Sequence, residues 1–309
     1  AMNCAAPDEG NIHLLDRVAT PAQKDRFLRP LAAGTIRSSF FMTEPDGGAG
    51  SDPDMMRTEA TRDGDHWVVN GRKWFISGVD GANMGIIMAR TGQHATMFLT
   101  PLPTPGLTIE RVMHTADGLM PGGHGVVKLD GVRIHESLVL GEVNEGFRYA
   151  QVRLAPARLT HCMRWLGLSK RAIEIARDYA SKREGFGMKL ADRESVQMML
   201  GDIAMRVEIG RLLVMKAAWA LDQGSFARKE ISMAKMHVAK LIHDAADVAI
   251  QINGARGYSA DTVLEWIYRY ARQARLVDGA DEVHKMVLNR FLQEEGERFW
   301  SWPVGQGSL

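Results

Sequence analysis

A glycine-rich stretch at 40–52 has the residue types of an anion-binding turn. It reads F-F-M-T-E-P-D-G-G-A-G-S-D, an apolar strand end followed by a turn signal. Glycines leave their backbone amides uncovered, so that several amides can converge on a phosphate or another anion. The glycines concerned are Gly47, Gly48 and Gly50. A surface hairpin loop is the alternative interpretation, because Gly-rich turns follow strands in many folds.

A second stretch at 70–78 shifts the balance toward a binding site. It reads N-G-R-K-W-F-I-S-G and follows the strand-like run H-W-V-V. The two stretches, T-E-P…G-S-D and N-G-x-K-x-F-I-S, resemble segments of the acyl-CoA dehydrogenase family. The resemblance continues into the C-terminal helices and covers most of the chain. It implies that both stretches line the isoalloxazine ring of FAD.

The resemblance assigns roles in this region residue by residue. Three residues of the first stretch and three of the second would contact the flavin: Phe41, Met42, Thr43, Phe75, Ile76 and Ser77. Ser51 would reach a phosphate or the acyl-CoA. The chain departs from the family in two places. Its first loop is two residues longer than T-E-P-D-A-G-S-D, and Phe75 stands where the family usually has Trp.

Two C-terminal segments resemble the parts of the family that hold the adenosine end of FAD. Arg183 and Phe186 match R-x-x-F-G, and Gln251 and Gly254 match Q-x-x-G-G-x-G with Ala255 in place of the second glycine. The resemblance implies that a neighbouring subunit contributes these residues to the site. An arginine near a helix C-terminus could also simply complement the helix dipole.

The catalytic position of the family falls on Asp278. Family members usually have Glu-Gly-Thr at this place, with Glu as the base, and this chain has Asp278, Gly279 and Ala280. The resemblance places Gly279 and Ala280 against the cofactor, and Gly279 and Arg158 against the substrate. Without the family, Asp-Gly is an ordinary turn between helices, with Asp281 free to cap the next helix, and Arg158 is a salt-bridged helix residue.

The elements that must position these residues are of two kinds. From 37 to 140, short runs rich in branched and aromatic residues alternate with Gly, Asp, Asn and Pro, which predicts a small antiparallel β domain. Asn70-Gly71 and Asp130-Gly131 look like tight hairpin turns. His124, set among glycines, is most simply part of a flexible loop. Before this domain, residues 1–36 resemble the last part of an N-terminal helical domain.

From 141 to 309 the apolar residues follow helical spacing. They predict helices over 154–180, 196–221, 231–252 and 264–276, with Asn253-Gly254 ending the third. Stripes of this length bury against one another in an antiparallel bundle. The fold class is therefore α+β, a small antiparallel β domain packed against a C-terminal four-helix bundle. An additional short helix begins at Thr20-Pro21, where Gln23 can complete a capping box.

Composition excludes several classes of protein. The 309 residues are 45% hydrophobic and 24% charged, which is typical of a folded globular chain. A net charge of +1 argues against a nucleic-acid binder. Two cysteines, Cys4 and Cys162, cannot form a disulfide framework, and no apolar run is long enough to span a membrane, so we expect a cytoplasmic protein. No metal motif occurs, and serine and cysteine lack an ordered histidine partner, which disfavours a hydrolase.

The resemblance therefore predicts an FAD-dependent acyl-CoA dehydrogenase. It implies that an acyl-CoA thioester becomes a trans-2-enoyl-CoA, that electrons pass to an acceptor like electron-transfer flavoprotein, and that the chain forms a homodimer or homotetramer. Two alternatives stay open, a flavin oxidase or monooxygenase acting on a non-CoA substrate and a non-catalytic flavin-binding fragment. Because relatives carry a longer N-terminal domain, this form is expected to bind flavin better than it turns over substrate.

Overall fold

The computed structural model describes residues 5–118 and 122–302. The chain divides into two compact units, Ala1–Ala157 and Arg158–Leu309. The first unit contains the β-sheet with short helices on it, and the second is helical. None of the described helices is both long enough and apolar enough to cross a membrane.

The first unit begins with helices. Helix α1 is Asp8–Val18, and a continuous helical segment then consists of α2 Pro21–Gln23, a π-helical turn Lys24–Leu28 and α3 Arg29–Ala32. The predicted capping box at Thr20 is confirmed, because Gln23 N donates to Thr20 Oγ1 at 3.3 Å and Thr20 N donates to Gln23 Oε1 at 3.1 Å. The capping box thereby satisfies two backbone amides at this helix start, those of Thr20 and Gln23.

The sheet has eight strands in the order β6-β7-β3-β2-β4-β5-β8, with β1 paired to β4. The strands are β1 Ser38–Phe41, β2 Glu59–Asp63, β3 His66–Ser77, β4 Met84–Thr91, β5 His94–Pro101, β6 Leu107–Val112, β7 His124–His135 and β8 Val139–Leu140. Most neighbours pair antiparallel, as predicted. The exceptions are β1 and β2, which both run parallel to β4.

Alternating side chains give the sheet two buried faces. In β4, Met84, Ile86 and Met88 point to one face and pack with Leu14 and Leu31 of the helices. On the other face, Ile87 packs with the apolar side chains of β1, β3, β5 and β7. A strand buried on both faces reads as a continuous apolar run, which is why M-G-I-I-M-A is recognisable in the sequence.

The two predicted hairpin turns inside this domain are wrong. Asn70-Gly71 and Asp130-Gly131 lie within β3 and β7, where the register shifts between Val69 and Gly71. Gly131 N donates to Asn70 Oδ1 at 2.7 Å, so the two dipeptides form one paired irregularity. A side chain at Gly71 would meet Thr58 at 2.5 Å, which explains the glycine better than a turn does. The tight hairpin turns come at Gly64 and Gly92 instead.

The second unit confirms the four predicted helices and extends the first three, whereas the fourth ends at Ala271 and continues as a 3₁₀ turn, Arg272–Arg275. Its elements are α4 Gly146–Lys182, which begins in the first unit, β9 Glu184–Gly185, β10 Met188–Lys189, α5 Glu194–Asp222, α6 Arg228–Asn253, α7 Ala255–Tyr258, α8 Leu264–Ala271 and α9 Asp281–Glu295. Helix α4 begins at Gly146 rather than at the predicted 154, so Pro156 lies inside the helix. Helix α6 ends before Gly254, which has a positive φ of 59°.

The core of this unit lies where α4, α5 and α6 meet. Ile203, Leu241 and Ala245 are buried there against Leu166 and Ile173 of α4. Gly210 of α5 allows the helices to approach closely, since an added methyl would lie 3.2 Å from Leu166 and 3.3 Å from Val238. The helical stripe read from the sequence is thus the packing surface of the bundle.

Candidate active site

The turn after β1 is organised around the carboxylate of Glu44. Oε1 of Glu44 accepts hydrogen bonds from Lys73 Nζ at 2.8 Å and from Thr58 N at 2.9 Å. Oε2 accepts from Arg57 N at 2.6 Å and from Ala49 N at 3.3 Å. The loop between β1 and β2 and the strand β3 therefore meet at one buried carboxylate.

The amides of Gly48 and Gly50 bond within the loop and do not form the predicted anion-binding site. Gly48 N donates to Pro45 O at 3.0 Å, and Gly50 N donates to Asp52 O at 3.4 Å. A methyl at Gly48 would lie 2.5 Å from Glu44 Oε2, so this glycine makes room for the carboxylate. The anion on which loop amides converge is thus a side chain of the protein.

Burial and pairing act in opposite directions on this ion pair. Burial raises the pKa of Glu44, but Lys73 and the donated hydrogen bonds outweigh it and bring the pKa to about 2. Burial lowers the pKa of Lys73 to about 8, although Glu44 opposes the change. Both groups are charged at neutral pH, and Lys73 also donates to Met42 O at 3.0 Å. The pair fixes the backbone beside Thr43.

The residues of the 40–52 stretch that were assigned to ligands differ in how exposed their side chains are. The Phe41 side chain is completely buried in the sheet core, so any ligand contact at this position would come from its main chain. Met42 and Thr43 are half-buried, and Ser51 is exposed. Thr43 O accepts from Trp74 N at 3.0 Å, which joins the two stretches recognised in the sequence.

A bulge near the end of β3 turns Phe75 outward. The register with β7 shifts between Lys73 and Ile76, and Phe75 has a φ of +52° with 47% of its surface exposed. Ile76 returns to the core at 1% exposure, and Ser77 is half-buried. A large aromatic residue held outward at positive φ is costly, and such bulges commonly re-aim side chains at binding sites.

Ser77 belongs to a hydrogen-bonded chain that sequence reasoning missed. Ser77 Oγ lies 2.9 Å from His124 Nδ1, and His124 Nε2 lies 3.2 Å from Asp117 Oδ2. His124 is the first residue of β7, so the interpretation as a flexible loop is wrong. The expectation that no serine has an ordered histidine partner is wrong for the same reason. The signal available in the sequence was the G-G-H-G strand start.

The loop between α8 and α9 presents Asp278. This residue has a φ of +52°, a region that aspartate tolerates better than most residues, and Gly279 follows at +101°. Arg158 Nε donates to Asp278 O at 2.7 Å, and His161 Nε2 lies 3.2 Å from Asp278 Oδ2. Arg158 and His161 are three apart on α4, so they share one face of the helix. The Asp278 side chain remains 23% exposed.

The hydrogen bonds define the tautomer of His161. Arg164 Nη2 lies 3.0 Å from His161 Nδ1, and a guanidinium can only donate, so Nδ1 accepts. The proton of the neutral ring is then on Nε2, which donates to Asp278. Trp165 stacks on the imidazole with centroids 5.0 Å apart and fixes its plane. The ring therefore orients Asp278 in its carboxylate form.

Two further buried groups support this loop. Lys235 Nζ of α6 donates to Gly279 O at 2.6 Å and to Ala274 O at 3.1 Å. Burial lowers the pKa of Lys235, which Asp278 and Asp281 oppose. His284 Nδ1 lies 3.0 Å from Ser232 Oγ, and a methyl at Gly279 would approach His284 Nε2 to 3.0 Å. Burial first, then Lys235 and Arg158, lower the pKa of His284 to about 4.

Asp281 does not cap α9, contrary to the turn interpretation. The N-cap residue is Ala280, without a side-chain capping bond, and Asp281 is the first helical residue. Its Oδ2 accepts from Arg275 Nε at 2.6 Å. Asp281 therefore closes the loop by binding back to the segment that precedes Asp278.

The residues matched to the adenosine-binding segments are exposed. Glu184–Gly185 and Met188–Lys189 form a small hairpin whose tip carries Phe186, which is fully exposed at φ +52°. The guanidinium of Arg193 lies 5.8 Å from the Phe186 ring centroid. Arg183, Gln251 and Gly254 are also exposed. In this chain they are free of the core and available to a ligand or to another subunit.

The sequence proposed Asp278 and Arg158 as candidate site residues but not the other groups that lie around Asp278. His161 had a signal in its spacing from Arg158, whereas Lys235 lies within an apolar stripe and gives none. Over residues 5–118 and 122–302, no cluster of three His, Cys, Asp or Glu side chains could hold a metal ion.

We compared the chain with sequence models of protein families and with curated proteins. Sequence models described as the acyl-CoA dehydrogenase middle domain and the acyl-CoA dehydrogenase C-terminal domain match residues 39–132 and 144–293. The chain is 40% identical over 300 residues to the "Probable acyl-CoA dehydrogenase FadE2" of Mycobacterium tuberculosis, covering 94% of this chain and 74% of that protein.

Two more relatives extend the comparison. Acyl-CoA dehydrogenase family member 11 of Gallus gallus is 38% identical over 304 residues, which cover 94% of this chain and 39% of that protein. The structure of butyryl-CoA dehydrogenase from Megasphaera elsdenii is 28% identical with a TM-score of 0.86, covering 94% of this chain and 76% of the other. With these matches, the chain belongs to the acyl-CoA dehydrogenase family.

Proposed function

We propose that the chain catalyses the FAD-dependent α,β-dehydrogenation of an acyl-CoA thioester to a trans-2-enoyl-CoA. The observation that carries this proposal is the fixed carboxylate of Asp278, which receives the Nε2–H of His161 and which the sequence resemblance matches to the family's base. Names of relatives, among them butyryl-CoA dehydrogenase, support the substrate class. Family membership supports an oxidoreductase.

Asp278 is proposed to remove the α proton of the thioester. The α C–H bond breaks, its proton moves to the Asp278 carboxylate, and its electron pair forms the new double bond. Because His161 Nε2 is already protonated, the ring cannot accept this proton from Asp278, and the proton stays on the carboxyl group. Arg158 and Lys235 hold the loop carbonyls and so keep the carboxylate in place.

The residues present fit a flavin dinucleotide. Apolar, aromatic and hydroxyl groups suit a planar heteroaromatic ring. Met42, Thr43 and Ser77 provide half-buried apolar and hydroxyl groups, and Phe75 provides an exposed aromatic ring. The exposed Arg183, Phe186, Gln251 and Gly254 suit the charged and adenine end. Gly279 and Ala280 are proposed to border the cofactor, with Gly279, Arg158 and Ser51 toward the substrate.

A bound flavin would supply the hydride acceptor that the departing β-hydrogen and its electron pair require. The acceptor that reoxidises it is proposed to resemble electron-transfer flavoprotein. Support for FAD over FMN is the match of Arg183, Phe186 and Gln251 to segments that hold adenosine. Mass analysis of the released cofactor tests this point, and FMN alone would contradict it.

An anaerobic titration of the flavin-loaded protein with a panel of acyl-CoAs tests the reaction. We expect one chain-length class to bleach the flavin absorbance and to yield the 2-enoyl-CoA. Asp278→Asn keeps the shape of the side chain and removes the base, so it should bind acyl-CoA without bleaching. Asp261→Asn, at an exposed position of the same unit, is the matched control. Failure of every acyl-CoA to reduce the parent protein would overturn the proposal.

A further inference from the structure

Ser77 is hydrogen-bonded to His124, and His124 to Asp117, but neither His124 nor Asp117 has a role in the reaction as proposed above. Ser77 ends β3 and His124 begins β7, and the two are direct partners in the strand register. Asp117 lies in the segment before β7 and is only 5% exposed. A partly buried polar network that ends on a buried carboxylate costs desolvation, so its ordered geometry calls for an explanation beyond strand pairing.

The backbone around the chain is fixed by main-chain hydrogen bonds. Gly78 N donates to Gly123 O at 2.8 Å, and Asp80 N donates to Gly122 O at 3.2 Å. The ring of the outward-facing Phe75 lies 6.3 Å from the His124 ring, centroid to centroid. The imidazole is therefore held between Ser77 and Asp117 and beside the aromatic residue assigned to the flavin.

Asp117 decides which nitrogen of His124 carries the proton. Burial raises the pKa of Asp117, but hydrogen bonds from Thr115 and His124 outweigh it, so the pKa lies below its ordinary value. The ionised carboxylate can only accept, which puts the proton on Nε2 of His124. In the neutral ring Nδ1 then accepts, and the hydroxyl of Ser77 donates to it.

The Ser77 hydroxyl has a single proton, and it uses this proton in the hydrogen bond to His124 Nδ1. Only its oxygen lone pairs are then available to a ligand. Ser77 would then accept a hydrogen bond from a ligand N–H and could not donate one to a ligand nitrogen. Reduction adds N–H groups to a flavin ring, so an outward acceptor favours the reduced form over the oxidised form. The direction of one hydrogen bond thus sets a preference between two redox states.

We propose that His124, held by Asp117, is a positioning residue that fixes Ser77 as a hydrogen-bond acceptor toward the flavin and so favours the bound flavin in its reduced form. This inference rests on the proposed flavin site. It adds a residue pair, His124 and Asp117, to the groups that tune the cofactor, and these two act through Ser77.

The first test reads the tautomer without any cofactor. Nitrogen-15 NMR of the histidine-labelled protein, with the His124 signal assigned by its loss in His124→Gln, distinguishes Nε2–H from Nδ1–H and from the imidazolium. We expect the form with a proton on Nε2 and an unprotonated Nδ1. Either the Nδ1–H form or an imidazolium would leave the Ser77 hydroxyl free to donate outward and would overturn the inference.

The second test measures the two-electron potential of bound flavin with a chemical reductant, so it does not depend on any acyl-CoA. His124→Phe keeps the ring volume and frees the Ser77 hydroxyl. We expect the preference for reduced over oxidised flavin to fall by about fivefold to tenfold, the worth of one hydrogen bond. That change corresponds to about 20–30 mV to lower potential. His94→Phe, an exposed histidine of the same unit, should leave the potential unchanged.

A double-mutant cycle separates an effect through Ser77 from a general change in packing. Ser77→Ala removes the acceptor and should lower the potential by a similar amount, after which His124→Phe should add nothing. If His124→Phe lowers the potential equally in the Ser77→Ala background, His124 does not act through Ser77 and the inference fails. The proposed dehydrogenation fails by a different result, the absence of bleaching by acyl-CoAs.

Discussion

His161 Nε2 lies 3.2 Å from Asp278 Oδ2, while His161 Nδ1 accepts from Arg164. The imidazole is thus a one-way donor to the proposed base. A hydrogen bond to a carboxylate stabilises the charged form and lowers its affinity for a proton, yet it also fixes where the carboxylate points. Of these two effects, position weighs more, because misplacement by about an angstrom can cost on the order of a hundredfold in rate.

We therefore expect His161→Phe to slow flavin reduction by acyl-CoA. Phe keeps the stack on Trp165 and removes the donor, so the predicted loss is on the order of tenfold to a hundredfold. The limb of the pH profile that reports Asp278 should move to higher pH, since its carboxylate loses a hydrogen bond. Stopped-flow reduction across a pH series measures both quantities.

His161→Gln and His243→Phe serve as the matched variants. Gln can restore an N–H toward Asp278 and should recover part of the rate, whereas His243→Phe changes a half-buried histidine beside Tyr268 and should have little effect. A parent-like rate and an unshifted pH profile in His161→Phe would show that the ring does not position the base.

Lys235 is predicted to couple the bundle core to the loop that carries Asp278. It is fully buried and donates to Ala274 O and Gly279 O. Lys235→Met keeps the length of the side chain but leaves two carbonyls without this donor. The expected cost is about 1–3 kcal/mol in the free energy of unfolding, together with slower flavin reduction. Urea unfolding and single-turnover kinetics measure the two effects.

Lys229→Met is the control that separates a loss of folding stability from a loss of the hydrogen bonds that position the Asp278 loop. Lys229 lies on the same helix and donates to Glu295 and to Phe299 O, away from the loop of Asp278. We expect a similar loss of stability without a matching loss of rate. If both variants slow reduction equally, the effect of Lys235 is one of general stability.

The sequence showed the positions of Asp278 and Arg158 but not the side chains of His161 and Lys235 that contact the loop of Asp278. Long helices and short strands follow from apolar periodicity, so α4, α5, α6 and most strands were predictable. The Asp-Gly pair was visible as a turn, and only the family resemblance gave it a role. The groups around it come from α4 and α6, and local spacing does not say which faces of distant helices meet. Lys235 is the clearest example, because a single lysine within an apolar helical stripe gives no indication of its hydrogen-bond partners.

The Gly-rich turns were misread for a related reason. Propensity assigns Asn70-Gly71 to a hairpin, but the close approach of Thr58 also requires a glycine there. Likewise, the amides near Gly48 suggested an outside anion, whereas Glu44 supplies the anion from within the turn. In both places a contact distant in sequence, which composition cannot show, decides the geometry.

The exposed face of α5 predicts association of copies of the chain. Large apolar side chains there have at least 37% of their surface exposed: Met198, Met199, Met205, Ile209, Leu212 and Met215. A row of this kind on one helix is typical of an interface. We propose a homodimer or homotetramer, to be measured by light scattering at low micromolar concentration. Met205→Glu/Leu212→Glu should weaken it, while Glu208→Gln on the same helix should not. A flavin-retaining monomer would contradict the proposal.

The buried pair of Glu44 and Lys73 makes the last prediction, which concerns stability. Removing one partner leaves a buried charge and unmatched amides, so Glu44→Gln and Lys73→Met should each cost about 3–5 kcal/mol in the free energy of unfolding. The double variant should cost less than the sum, because neither charge is then left alone. Asp63→Asn, which breaks the exposed ion pair with Arg133, should cost less than about 1 kcal/mol.

The same pair predicts a definite response to acid. The pKa of Glu44 is lowered from 4.5 to about 2 in the folded chain, so the unfolded chain binds more protons between these values. The stability from the ionised carboxylate is complete above the unfolded value and is lost as pH falls from 4.5 toward 2. Urea unfolding at a series of pH values should show the parent losing stability in this range more steeply than Glu44→Gln. Equal slopes for parent and variant would mean that Glu44 does not hold the turn as a carboxylate.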